Sequence, residues 1–205
     1  MATTAQTDTG RSNQKKRTRT AIVEAARELI GTGDEVTMPA IARAALVSEA
    51  TAYRYFPDLP SLIGEALAGV WAAPADALRP VEDSADPVER TAFACEFLLR
   101  GILERQGAVR AMIAATITRP ETVTMRPGIR FGLIDHALVP LEHTLGAADP
   151  EAFAQLKQDL AVVVSAEALF TLTDLCGLDA DTAVASAVRT ATTLTEAAVR
   201  AAGRG

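Results

Sequence analysis

The chain has 205 residues, long enough for one domain or two small ones with a real core. Nearly half of it is hydrophobic, much of that alanine, while tyrosine, tryptophan and phenylalanine are scarce, so the composition reads all-α and excludes a β-rich fold. The net charge of −6 argues against a uniformly basic nucleic-acid binder, yet residues 1–56 carry 8 Lys/Arg against 6 Asp/Glu and the remainder 12 against 20, and this asymmetry places an interaction surface at the basic end.

Residues 1–14 are polar and lack periodicity, which predicts a disordered tail. KKRTRT follows, with Lys15, Lys16, Arg17 and Arg19 within five residues. This basic arm is expected to meet phosphates or a minor groove. Ile22, Ala25, Ala26, Leu29 and Ile30 then recur at helical spacing until Gly31 and Gly33 stop the helix. Thr37 is placed to cap a short helix through Ala44, with Pro39 in its first turn. Leu46-Val47 breaks the pattern, Ser48 caps another short helix, and Asp58 caps a fourth over LPSLIGEALAGVWAA. Prolines at 74 and 80 punctuate a loop to about Asp86.

Longer helices make up the second part. One is expected over 87–105, another over AVRAMIAATIT, then a loop RPETVTMRPG bounded by Pro120 and Pro127. IRFGLIDHALVPLEHTLG reads as a helix kinked at Pro140, and PEAFAQLKQDLAVVVSAEALFTLTDLCG as one long helix despite its Val162-Val163-Val164 run. Residues 179–202 close the chain.

The stretch IARAALVSEATAYRYF has the form of a helix-turn-helix, whose second helix lies in a major groove. Ile41, Ala45, Val47, Ala52 and Phe56 can face inward, leaving Ser48, Glu49, Ala50, Thr51, Tyr53, Arg54 and Tyr55 largely outside. Both tyrosines of the chain fall here, and a phenolic hydroxyl on a rigid ring reaches a phosphate at modest entropic cost.

Residues 15–67 resemble the N-terminal domain of the TetR family of bacterial transcriptional regulators, on the run TAIVEAARELIGTGDEVTMPAIARAALVSEATAYRYFPDLPSLIGEAL. The resemblance implies a three-helix DNA-binding domain over 15–57 and a helical effector-binding and dimerisation bundle over 58–205. It implies further that Thr37 faces phosphate, that Ser48 caps the recognition helix, that Glu49, Ala50 and Thr51 form its groove-facing start, and that Tyr53 and Tyr55 contact phosphates. Two residues depart from the family pattern. Leu46 stands where the turn usually has Gly; a left-handed Leu would cost about 1–2 kcal/mol, which favours another turn geometry. Leu59 stands where the fourth helix usually has Lys, which removes one phosphate contact.

The implied function is a ligand-responsive regulator, most simply a repressor, that binds a near-palindromic operator in double-stranded DNA as a homodimer and is released by a small, mainly apolar effector. The alternative is a helical small-molecule-binding or structural protein without DNA binding. Candidate effector contacts are Trp71, Phe93, Phe97, Met112, Thr116, Phe131, His136 and Phe170, large or polar residues on the middle helices. Candidate dimer contacts are Leu160 and Val164 with the small-residue stripe Ala183, Ala187, Ala191 and Leu194 at spacings of three and four.

No enzyme motif is present: HExxH, P-loop, GxSxG and GxGxxG are all missing. His136 and His143 lie seven residues apart on one helix, about 10.5 Å along its axis, too far to share a metal ion. No metal or cofactor is expected. Cys95 and Cys176 are far apart, which suits a reducing compartment. With neither an apolar leader nor an apolar run of membrane-spanning length, a cytoplasmic protein without membrane contact is expected.

Overall fold

The computed structural model describes residues 4–32, 35–118, 121 and 128–203. The described residues form helices, short turns and no strand, as the alanine-rich composition predicts. The chain divides into two compact units that interleave in sequence. Residues 1–70 and 104–127 form the first, and 71–103 with 128–205 the second. The boundary expected at residue 57 therefore falls elsewhere: the fourth helix and a later one belong with the first three.

In the first unit, α1 runs Thr4–Gly31, α2 Met38–Ala44, α3 Glu49–Tyr55, α4 Leu59–Leu67 and α7 Gln106–Thr118. The tail expected to be disordered is helical from Thr4, because extending a formed helix is far easier than nucleating one; residues 1–3 lie outside the described set, as does Gly33. Ile22, Ala26 and Ile30, four residues apart on α1, are buried with Ile41 of α2, Ala52 of α3, Phe56, and Leu62, Ile63 and Ala66 of α4. Ala108 and Met112 of α7 complete this core. Helix α4 stops at Leu67, earlier than the apolar pattern suggests. Gly69 follows in the left-handed region at φ 76°, a conformation that a continuing helix excludes.

In the second unit, α5 spans Pro74–Ala77, α6 Pro87–Glu104 (its last residue counted with the first unit), α8 Ile129–Ala137, α9 Val139–Glu142, α10 Leu145–Ala148, α11 Pro150–Val163, α12 Ala166–Phe170 and α13 Ala180–Ala202. A 3-10 turn covers Arg79–Val81 and a π turn Thr171–Leu175. The expected kink at Pro140 is a break: α8 ends, and Pro140 sits in the first turn of α9, where its missing N–H is tolerated. The expected single helix from 150 to 177 is also broken. Val164 leaves the helical region at ψ 65°, and Ser165 restarts the chain as the cap of α12, its Oγ accepting from the Ala168 N–H at 3.0 Å. Three consecutive β-branched residues weaken the helix at that point.

Two contacts organise this unit. Arg90, 7% exposed, has no carboxylate partner among the described residues. Its guanidinium donates to the carbonyls of Val81 (2.7 Å), Glu82 (2.9 Å), Ser84 (3.4 Å), His136 (2.7 Å) and Ala137 (3.3 Å). It thereby ties the turn after α5 to the end of α8, where helix carbonyls lack partners and favour a cation. Gly132 of α8 lies so close to Pro74 that a Cβ would stand 2.6 Å from the proline Cγ, so α5 and α8 touch only because this residue has no side chain.

The stripe expected to form the dimer seam is used inside the chain. Ala183, Ala187 and Ala191 are 0–1% exposed, as are Leu160 and Val164, and α13 packs them against α11. Leu194 is half-buried. Small residues at these spacings do let helices approach closely, but the partner is the chain's own α11. In the single chain, the buried residues of this set serve its own packing.

Candidate nucleic-acid interface

Helices α2 and α3 form the two arms of the helix-turn-helix, both in the first unit. Thr37 caps α2, its Oγ1 accepting from the Ala40 N–H at 3.3 Å. The turn closes as a Schellman motif: the Val47 N–H donates to the Ala42 carbonyl (2.9 Å) and the Leu46 N–H to the Arg43 carbonyl (3.1 Å). That motif needs a left-handed residue, and Leu46 supplies it at φ 55° with its side chain 92% exposed. The expectation of another turn geometry is thus corrected. The two carbonyls at the end of α2 and the inward packing of Val47 on the core hold Leu46 in a conformation it would not adopt alone.

Ser48 caps α3, accepting from the Thr51 N–H at 3.2 Å and donating to Thr51 Oγ1 at 2.9 Å. Glu49 and Ala50 are exposed at the start of α3, and Thr51 is half-exposed. The two tyrosines differ. Residues two apart on a helix point to roughly opposite sides, and Tyr53 is 49% exposed while Tyr55 packs against the core, with the Arg54 guanidinium 5.6 Å from its ring centroid. Arg54 itself is exposed.

Thr37 and Tyr53 open onto one groove of about 370 Å³, shared with the start of α4 at Pro57, Asp58, Leu59 and Pro60 and with Ala115 and Thr118 of α7. Two capped helix starts, a hydroxyl and a phenol so placed suit an oxygen-rich backbone. On the α4 side, Leu59 and two prolines are apolar and Asp58 is the one charged residue.

Lys15, Lys16 and Arg17 are exposed on α1. The basic arm is thus a helical surface rather than a loose tail. Arg19 differs from its neighbours. It ion-pairs with Glu65 of α4 through Nη2, with Nε 3.2 Å from the second carboxylate oxygen, and donates from Nη1 to the Tyr55 carbonyl at 3.2 Å. Its Cζ sits 4.3 Å from the Phe56 ring centroid. These contacts engage its charge within the fold. Sequence reasoning missed this network because Glu65 lies 46 residues away and carries no local signal.

Residues 22–65 match the model of the bacterial regulatory proteins, tetR family. The chain carries a TetR-family DNA-binding domain. The match covers α2, α3, the turn between them, the last third of α1 and most of α4. The chain is a DNA-binding transcriptional regulator of helix-turn-helix type, and the TetR match ends before α5. No curated protein and no solved structure matches it.

The effector candidates divide between the units. Met112 is 4% exposed in the core of the TetR domain and Thr116, on the same helix, donates to the Ile113 carbonyl at 2.9 Å. Both residues belong to the first unit. Trp71, Phe93, Phe97, His136 and Phe170 are half-buried in the second unit, and Phe131 is 55% exposed. On α6, the Thr91 hydroxyl is buried and lacks a hydrogen-bond partner among the described residues. Cys95 is buried too, and desolvation, helped by Glu96, pushes its thiol up to about 12. Among the described residues, no cluster of acidic, histidine or cysteine side chains suits a metal ion, and no helix is long and apolar enough to cross a membrane.

Proposed function

We propose that this regulator is a repressor of the cytoplasm that binds a near-palindromic operator as a homodimer and is released by a small, mainly apolar effector. The observation that carries the DNA half is Thr37 and Tyr53 on one groove of a TetR domain whose α3 has an exposed start. Tyr53, Thr37 and the Lys15, Lys16 and Arg17 face of α1 hold phosphates. Ser48, Glu49, Ala50, Thr51 and Arg54 stand at or beside the base edges, and Tyr55 props the helix from its inner side.

Pairing is expected through the outward faces of α11–α13, since their inward faces are already occupied. The exposed apolar residues Val162, Leu175 and Val199 support this. A twofold dimer presents two copies of α3 to half-sites a whole number of helical turns apart. The effector is expected in the second unit near Phe93 and Phe97, and the unpartnered hydroxyl of Thr91 supports a ligand that brings one polar group into an apolar site. A ligand releases DNA only if it binds the two conformations with different affinity.

Fluorescence anisotropy on a selected and a random duplex tests the reading. Tyr53→Phe should weaken both duplexes about equally, and neutralising Lys15, Lys16 and Arg17 should make the salt dependence shallower by up to ~0.9 per lost contact in log–log slope. Binding that ignores salt, or a Tyr53→Phe loss confined to one sequence, contradicts it.

A further inference from the structure

Helix α3 has little apolar footing. Of its seven residues only Ala52 is fully buried, with Tyr55 half-buried at its end and Phe56 2% exposed just beyond it. A methyl group is a small anchor for a helix that must be held within a fraction of an ångström to read base edges. The C-terminal end of α3 is where further restraint is found, and it comes from Arg19 of α1. One guanidinium meets Glu65 of α4 with two nitrogens, the last carbonyl of α3 with a third, and the face of Phe56 with its plane. Three helices therefore converge on one rigid, planar cation. The carbonyl it reaches belongs to a helix end, whose partial negative charge favours it. Its carboxylate partner also offsets the charge that a phosphate contact would need.

We propose that Arg19 is a positioning residue for DNA reading: together with Glu65 it fixes the orientation of α3, and it does not grip phosphate. The proposal rests on the reading of α3 as the recognition helix. It predicts an asymmetry with chemical content. Lysine keeps the charge of Arg19 but not the flat fork, so it cannot meet a carboxylate, a carbonyl and a ring at once. Glu65 repels phosphate, so its loss would weaken sequence preference only by way of Arg19.

The test uses the full chain. Selection from a random duplex library defines the preferred sequence, and anisotropy then compares that duplex with a scrambled one across salt for wild type, Arg19→Lys, Arg19→Gln and Glu65→Gln. The preference for the selected duplex should fall about tenfold in Arg19→Lys and in Glu65→Gln. The affinity of Arg19→Lys for scrambled DNA and its salt slope should stay unchanged. Amide hydrogen exchange in α3 should quicken in both variants. A phosphate contact gives the opposite result: Arg19→Lys behaves as wild type, and Arg19→Gln weakens both duplexes equally with a slope shallower by ~0.9. That outcome overturns the proposal. Should Arg19→Lys fail to fold, Glu65→Gln decides alone, and its keeping full preference overturns the proposal as well. A wild-type chain that selects no sequence instead removes the recognition-helix reading on which the proposal rests; the two failures differ in whether the wild type selects.

Discussion

Leu46→Gly isolates the strain in the turn of the helix-turn-helix. The left-handed conformation at φ 55° costs a β-carbon-bearing residue about 1–2 kcal/mol. Glycine removes that strain but brings a more flexible unfolded chain, a cost of about 0.5–1 kcal/mol. The leucine side chain is 92% exposed, so its removal forfeits almost no burial. The difference is a gain of about 0.5–1 kcal/mol, or roughly 1–4 °C in Tm for a chain of this size. Thermal unfolding followed by circular dichroism measures it, with two companion variants. Leu46→Asn should gain part of the effect, since asparagine tolerates the left-handed region, and Leu46→Val should lose stability, since a β-branched residue tolerates it least. A Leu46→Gly chain less stable than wild type, or a Leu46→Val chain equal to it, would show that the turn does not hold strain at this residue.

Arg90→Lys should cost about 2–4 kcal/mol, because an ammonium cannot reach carbonyls on both sides and some are left buried without a donor; chemical denaturation reads this directly. Ala187→Arg should unfold the second unit instead of producing a folded monomer, since residue 187 is 1% exposed within one chain; ultracentrifugation alongside circular dichroism separates the two outcomes. A thiol reagent at pH 8 should label exposed Cys176 rapidly and Cys95 only on unfolding, because burial both shields Cys95 and suppresses its thiolate. Asp179 caps α13, and hydrogen bonds from Thr182, the backbone one first, hold its carboxyl below the usual range. A depressed pKa stabilises the folded state above the unfolded value and ceases to as pH falls through the folded one, so the Tm advantage of wild type over Asp179→Ala should be complete at neutral pH and shrink progressively as pH falls from about 4.

Local signals carried the capped starts of the helices well. Thr37, Ser48 and Asp58 each precede an apolar-periodic run and each accepts the expected N–H, because capping is decided within three residues of sequence. What failed depends on distance or on competition. The break at Val164-Ser165 sets weak helix propensity against a side-chain cap, and periodicity alone does not weigh the two. Arg19 reads as one more charge in KKRTRT until Glu65 and Phe56 are brought beside it. The alanine stripe of α13 announces close helix packing, but its spacing is the same whether the partner is a second copy or α11. Leu46 was legible as an anomaly, and only the hydrogen bonds around it show that the backbone kept its course and the side chain gave way.

The interleaved course of the chain bears on how such a protein can be recombined. The TetR domain as matched ends at residue 65, yet the core beneath it is finished by Ala108 and Met112, contributed after an excursion of 33 residues, 71–103, into the other unit. A chimaera joined at residue 57 or 70 would carry the DNA-reading helices away from the helix that closes their core. Exchange between relatives would therefore succeed only where the donor's α7 travels with its head, or where the recipient's presents small and flexible residues in the places of Ala108 and Met112. The unit of inheritance for DNA reading in this chain is two separated segments, and the shorter one lies outside every motif by which the first is recognised.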